Sequence, residues 1–148
     1  MSAPAADVST NSGQLVFCSG KEWFGVPADQ AGEVVIFQKL TSIPEAPPHL
    51  LGVFGHRGEV IPVVDLAYLT FGYPSGSKRV VVVRVPNRGL VAFTANRVAG
   101  VTPVDQQPPR MAETGAKSHL RGPATLGDRA VSLIETDGLF EFLSRRGE

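Results

Sequence analysis

The chain runs through one pattern twice. From Leu15-Val16-Phe17 it reads strand, turn, strand and then Gly32-Glu33-Val34; from Val81-Val82-Val83 it reads strand, turn, strand and then Arg97-Val98-Ala99-Gly100-Val101. Each passage continues into a proline-bearing loop, a hairpin, an apolar strand, an aspartate and a short helix, the second parts covering 57–71 and 128–142. Two copies of one strand-rich unit, approximately 14–77 and 78–144, predict two similar barrels side by side within a single domain over 14–148. A unit this small is marginal alone, because domains of about 60 residues bury only ~60% of the surface that the unfolded chain exposes. An apolar seam shared between the two barrels is therefore expected.

The 16 glycines and 12 prolines cut the chain into pieces of strand length, and the runs between them are β-branched and aromatic. Four hairpins follow: 14–18 with 23–26, 51–54 with 60–64, 79–85 with 90–95, and 125–126 with 130–134. Helix is scarce. Asp65 is placed to cap Leu66 to Phe71, closed by Gly72. Asp137 is placed likewise to cap Gly138 to Ser144, where Leu139, Phe140 and Leu143 fall at helical spacing. The stretches 38–48 and 105–119, rich in proline and polar residues, predict surface loops. Residues 1–13 are small and polar and predict a disordered tail. The fold class expected is all-β: two five-stranded barrels around a shared hydrophobic seam, with short helices.

Composition removes several function classes. Lysine and arginine balance aspartate and glutamate at 14 each, so no global field draws the chain to nucleic acid or to an anionic membrane. The start of the chain lacks the basic and apolar regions of a signal peptide, and no apolar run approaches the ~20 residues of a membrane span. A cytoplasmic protein with protein partners or small ligands is the expectation. The single cysteine, Cys18, sits in an apolar run and reads as a small buried hydrophobe. The segment from Gly72 to Lys78 has the wrong glycine spacing for a phosphate-binding loop and runs from helix to strand, the reverse of what that loop requires. His49, His56 and His119 lie in three separate loops, without the helical spacing of a zinc site. No Gly-x-Ser-x-Gly occurs. Neither catalysis, a cofactor nor a metal is expected. What stands out is the polar tip His56-Arg57-Gly58-Glu59 between two apolar strands, since arginine's planar five-donor fork makes it a frequent interface anchor.

The stretch Gly52-Val53-Phe54-Gly55-His56-Arg57-Gly58-Glu59-Val60-Ile61-Pro62-Val63-Val64-Asp65-Leu66 resembles the CheW-like family, whose most recognisable stretch reads roughly G-V-x-N-x-R-G-x-[VI]-[IV]-P-[VI]-[VI]-D-L. Other features agree in order across about 14–143: Gly20, Gly25-Val26, Gly32-Glu33-Val34, Ile43-Pro44, Pro108-Pro109 and Leu126-Gly127-Asp128-Arg129. The resemblance implies two SH3-like barrels and a scaffold without catalysis. It further implies binding to the cytoplasmic tip of a methyl-accepting chemoreceptor, to the regulatory domain of a CheA-type histidine kinase, and to other CheW-like chains. Arg57, beside a groove between the barrels, is implied in receptor contact, and Glu33 with the apolar surface of one barrel in partner binding. The candidate partner-binding residues are Arg57, Glu33, His56, Glu59, Val34 and Val53.

The chain departs from the family pattern at Gly55, where asparagine is usual, and at His56, where an apolar residue is. It departs again at Asn96, which stands for an aspartate, and at Ala31, which stands for a larger apolar residue. These departures motivate a second reading, an adaptor that keeps only one partner. A third, of another class, is a small-barrel enzyme or ligand-binding domain with its pocket between the barrels.

Overall fold

The computed structural model describes residues 13–104 and 108–146, so the expected tail up to residue 12 and positions 105–107 of the second loop lie outside the described residues. In chain order the elements are β1 (Gln14–Ser19), β2 (Glu22–Pro27), β3 (Ala31–Ile36), β4 (Leu50–His56), β5 (Glu59–Val64), α1 (Leu66–Phe71), β6 (Arg79–Val85), β7 (Gly89–Thr94), β8 (Arg97–Thr102), β9 (Leu120–Leu126), β10 (Arg129–Ile134) and α2 (Thr136–Arg146). The four expected hairpins are β1–β2, β4–β5, β6–β7 and β9–β10. Helix α1 ends on Gly72 in the left-handed region, and the Asp65 carboxylate accepts the Tyr68 N–H at its start.

The strands form two five-stranded sheets of the SH3-like kind, with orders β8-β1-β2-β10-β9 (sheet I) and β3-β6-β7-β5-β4 (sheet II). The sheets do not coincide with the sequence repeats. Each takes a hairpin from one copy and three strands from the other, joined by short parallel pairings, β2 with β10 and β5 with β7. The expectation of one barrel per copy is corrected accordingly: the copies exchange strands. Edge strands β3 and β8 were not separately expected, because Gly32 and Gly100 interrupt their β-branched runs.

Exchange explains why the central strands are apolar on both faces. Along β6, Val80 and Val82 point into the core of barrel II, while Val81, Val83 and Val85 point into the seam. The seam is the largest buried cluster, with Phe17, Phe24 and Ile134 from sheet I meeting Val64, Val81 and Phe93 from sheet II. A smaller core around Val16, Val131 and Leu133 fills barrel I. Buried polar groups cross the same junction. The hydroxyls of Ser19 on β1 and Thr94 on β7 lie 2.7 Å apart, and accept the Ala67 and Leu66 N–H groups of α1 at 3.1 and 3.2 Å. The Asn96 amide joins in, accepting the Gly20 N–H at 2.7 Å and donating to the Ser75 carbonyl at 3.0 Å. An aspartate could not make the second bond, which gives that departure a local reason.

Helix α2 begins at Thr136, so Asp137 stands inside its first turn rather than at its cap. The position equivalent to Asp65 is Glu135: the N–H groups of Asp65 and Glu135 donate to the carbonyls of His49 and His119, both at 2.8 Å, and the carbonyls of Asp65 and Glu135 accept from Leu69 and Leu139, both at 2.9 Å. The Asp137 carboxylate instead meets Arg88 of the β6–β7 turn at 2.8 Å.

Candidate functional site

The β4–β5 hairpin closes in two residues between the paired His56 and Glu59, and both central residues have positive φ, 52° at Arg57 and 79° at Gly58. That is the turn whose twist matches its strands. Glycine adopts it freely; arginine adopts it at a cost, which this hairpin bears while presenting Arg57 with its side chain 74% exposed.

Strand alternation then brings distant residues together. His56 lies on the same face as Phe54, which belongs to the core of barrel II, and Glu33 pairs in register with Val82 of that core. Strands β3 and β4 stand at opposite ends of the order of sheet II, yet the sheet curls until they meet. The Phe37 and Phe54 rings pack at 6.1 Å between centroids. Above them Glu33 Oε2 lies 3.1 Å from His56 Nε2 and 3.0 Å from Arg57 Nε. Three of the six candidates, Glu33, His56 and Arg57, thus form one cluster. Glu59 sits on the same rim but pairs with Arg84 at 3.5 Å. Together these charges ring the mouth of barrel II over a cavity of 130 Å³ whose floor is Ile61, Val82 and Leu90.

The hydrogen bond from His56 and the charge of Arg57 hold the Glu33 carboxyl below the usual carboxylate range, against a smaller opposing effect of burial. Glu33 is therefore a fixed anion with two donors. A general base is tuned the other way, toward neutrality. Among the described residues, no three His, Cys, Asp or Glu side chains are grouped to hold a metal ion. The arrangement is suited to charge-assisted recognition.

Val34 and Val53 fall outside the cluster. Val34 is exposed on the outward face of β3. Val53 is half-buried on β4, opposite Pro62. On β5, Ile61 and Val63 fill the barrel, which turns Val60 and Pro62 to the outside, and Val60 is 71% exposed. Pro62 leads into an apolar groove of 140 Å³ where β4, β5 and β7 meet α2, walled by Leu50, Val64, Val91, Phe140 and Leu143. The sequence reading missed this wall and missed Arg84. An arginine set between Val80-Val81-Val82-Val83 and Val85 was the available signal for the latter.

Comparison with known proteins agrees with this fold. Residues 14–143 match the CheW-like domain. Protein FrzA of Myxococcus xanthus is 32% identical over 142 residues, covering 90% of this chain and 89% of FrzA. Chemotaxis protein CheW of Rhizobium meliloti is 30% identical over 144 residues, covering 92% and 93% of the two chains. The crystal structure of the scaffolding protein TtCheW from Thermoanaerobacter tengcongensis superimposes with a TM-score of 0.69 at 28% identity, covering 82% of this chain and 87% of that one.

Proposed function

The chain belongs to the CheW-like family, and from that premise we propose that it is a non-catalytic adaptor joining the cytoplasmic tip of a methyl-accepting chemoreceptor to the regulatory domain of a CheA-type histidine kinase. The observation that carries this reading is that the β4–β5 hairpin holds a charged cluster with Glu33, His56 and Arg57 at its tip and, at its base, an apolar groove that α2 completes. A receptor tip is a helical hairpin, and an apolar groove accepts a helix through side chains three and four apart. Leu50, Pro62, Val64, Phe140 and Leu143 supply the groove and Arg57, at the tip of the same hairpin, the charged anchor. Glu33 and Val34, on the exposed edge of barrel II, face the kinase. Contacts of this size give affinities in the micromolar range, and arrays of receptors, kinases and further CheW-like chains in the cytoplasm then hold by multivalency.

The test is a paired assay of the purified protein against a receptor-tip fragment and against the kinase regulatory domain. Both bind under this reading. Arg57→Glu reverses the anchor and sets a second carboxylate beside Glu33, so receptor affinity falls by about 2 kcal/mol or more. Unchanged receptor affinity in that variant removes Arg57 from the site, and binding of one partner alone replaces this reading with that of a single-partner adaptor.

A further inference from the structure

The internal repeat supplies a comparison that the fold makes residue by residue. The two mouths are related by register: Leu50 pairs with Val64 as Leu120 pairs with Ile134, and Arg84 pairs with Leu90 as Cys18 pairs with Trp23. The parallel pairings agree, Val63 with Ala92 matching Leu133 with Gly25. Followed outward, this register sets Leu90 against Trp23, Glu59 against Arg129, His56 against Leu126, Arg57 against Gly127, Glu33 against Gly100 and Arg84 against Cys18.

The two mouths have opposite contents. In barrel I, Trp23 and Leu126 pack onto the core, and the Arg129 guanidinium lies 4.2 Å from the indole centroid, with Arg97 at 6.0 Å. That mouth is plugged by an aromatic ring under a cation. In barrel II the position of Trp23 is held by the smaller Leu90, and a 130 Å³ cavity remains, floored by Ile61, Val82 and Leu90 and rimmed by His56 and the ion pairs Arg57–Glu33 and Arg84–Glu59. An apolar cavity of about 150 Å³ accepts a benzene ring.

We propose that the mouth of barrel II is a socket for one aromatic side chain of the kinase-type partner, seated as Trp23 is seated in barrel I, with Arg57 or Arg84 over its ring. The fit rests on two features, cavity size and an aliphatic floor at the position of Trp23; the register sets Glu59 where Arg129 stands, and the arginines of this mouth, Arg57 and Arg84, reach it from other positions. Assigning the ring to the kinase rests on the adaptor reading; the socket does not.

The test uses the full chain. Isotope-labelled protein is titrated with N-acetyl-tryptophanamide and followed by amide shifts. Saturable shifts centred on Glu33, Val82 and Leu90 are expected, and Leu90→Trp, which plugs the socket from within, weakens them at least about tenfold. Shifts confined to the groove around Phe140 and Leu143, or shifts at the mouth that survive Leu90→Trp, overturn the socket. Should Leu90→Trp fail to fold, Leu90→Phe is the smaller plug, with the same outcomes. In the second arm, Leu90→Trp binds the kinase regulatory domain at least about tenfold more weakly than the unaltered chain, and equal binding overturns the assignment of the ring to that partner. A wild-type chain that binds no kinase domain sinks the adaptor reading, while the amide shifts still decide the socket.

Discussion

Replacing Thr94 with valine removes one hydroxyl from the junction between the sheets and keeps the side chain's shape. Thr94 and Ser19 are both 0% exposed, so water cannot substitute for what is lost. The variant strands the Leu66 N–H, which donates to the Thr94 hydroxyl at 3.2 Å, and ends the 2.7 Å contact with Ser19. A stranded buried donor costs about 1–3 kcal/mol and the lost hydroxyl bond about 1 kcal/mol. The added methyl returns less than about 1 kcal/mol. The balance is a loss of about 2–3 kcal/mol, or ~4–12 °C in Tm for a domain of this size. Urea unfolding followed by far-ultraviolet circular dichroism and by Trp23 fluorescence measures it, with the slope unchanged between variants. Ser19→Ala strands the Ala67 N–H in the same way. The two hydroxyls share one contact, so the double variant loses less than the sum of the two single losses, by about 1 kcal/mol. A Thr94→Val loss below about 0.5 kcal/mol refutes the assignment of these hydroxyls as the acceptors for the first turn of α1.

Two further outcomes follow from the same structure. Gly52 has φ of 146°, and a β-carbon there would run into the Thr41 carbonyl, whereas a β-carbon at Gly55 meets nothing within 4 Å. Gly52→Ala is therefore expected to cost about 2 kcal/mol or more and Gly55→Ala to lie within about 0.5 kcal/mol of the parent; equal losses in urea unfolding contradict this. Because the folded pKa of Glu33 is depressed by His56 and Arg57, its contribution is complete above the unfolded glutamate value of about 4.3 and is lost as pH falls through the folded value. The Tm difference between the parent and Glu33→Gln should then be largest near neutral pH and close in acid below that value. A difference that widens in acid contradicts the sign.

Local chemistry made much of the fold legible in the sequence. Turn residues announced all four hairpins, Asp65 and Gly72 bounded α1, and the doubling of the pattern called for a shared seam. What stayed hidden was non-local. Whether Phe24 lies beside Ser132 of the distant copy depends on which hairpin wins a long-range pairing, and nothing within either strand encodes it. The cap of α2 was misplaced because aspartate is the better capping residue by type, while Arg88, 49 residues away, claims Asp137. At the site, Arg57 stood out as an anchor-type side chain at a polar tip between two apolar strands. Its meeting with Glu33 required knowing that sheet II curls end to end.

Strand exchange also sets a timetable for synthesis. Strand β2 pairs with β10, Phe24 against Ser132, so more than a hundred residues must be made before sheet I can be completed. At about 5–20 residues per second, the ribosome holds the β1–β2 hairpin incomplete for on the order of 5–20 s. Through that interval Phe24 and Val26, both 0% exposed in the finished molecule, lack the strand that covers them. Sheet II has all its strands once β7 is made, whereas completion of sheet I is deferred until the last strand emerges and then proceeds through contacts of high sequence separation, which is slow by nature. Neither half of the gene encodes a half-adaptor: the first copy alone leaves both sheets unfinished, and a chain halted beyond β7 still lacks strands of sheet I and is a substrate for chaperones and proteases.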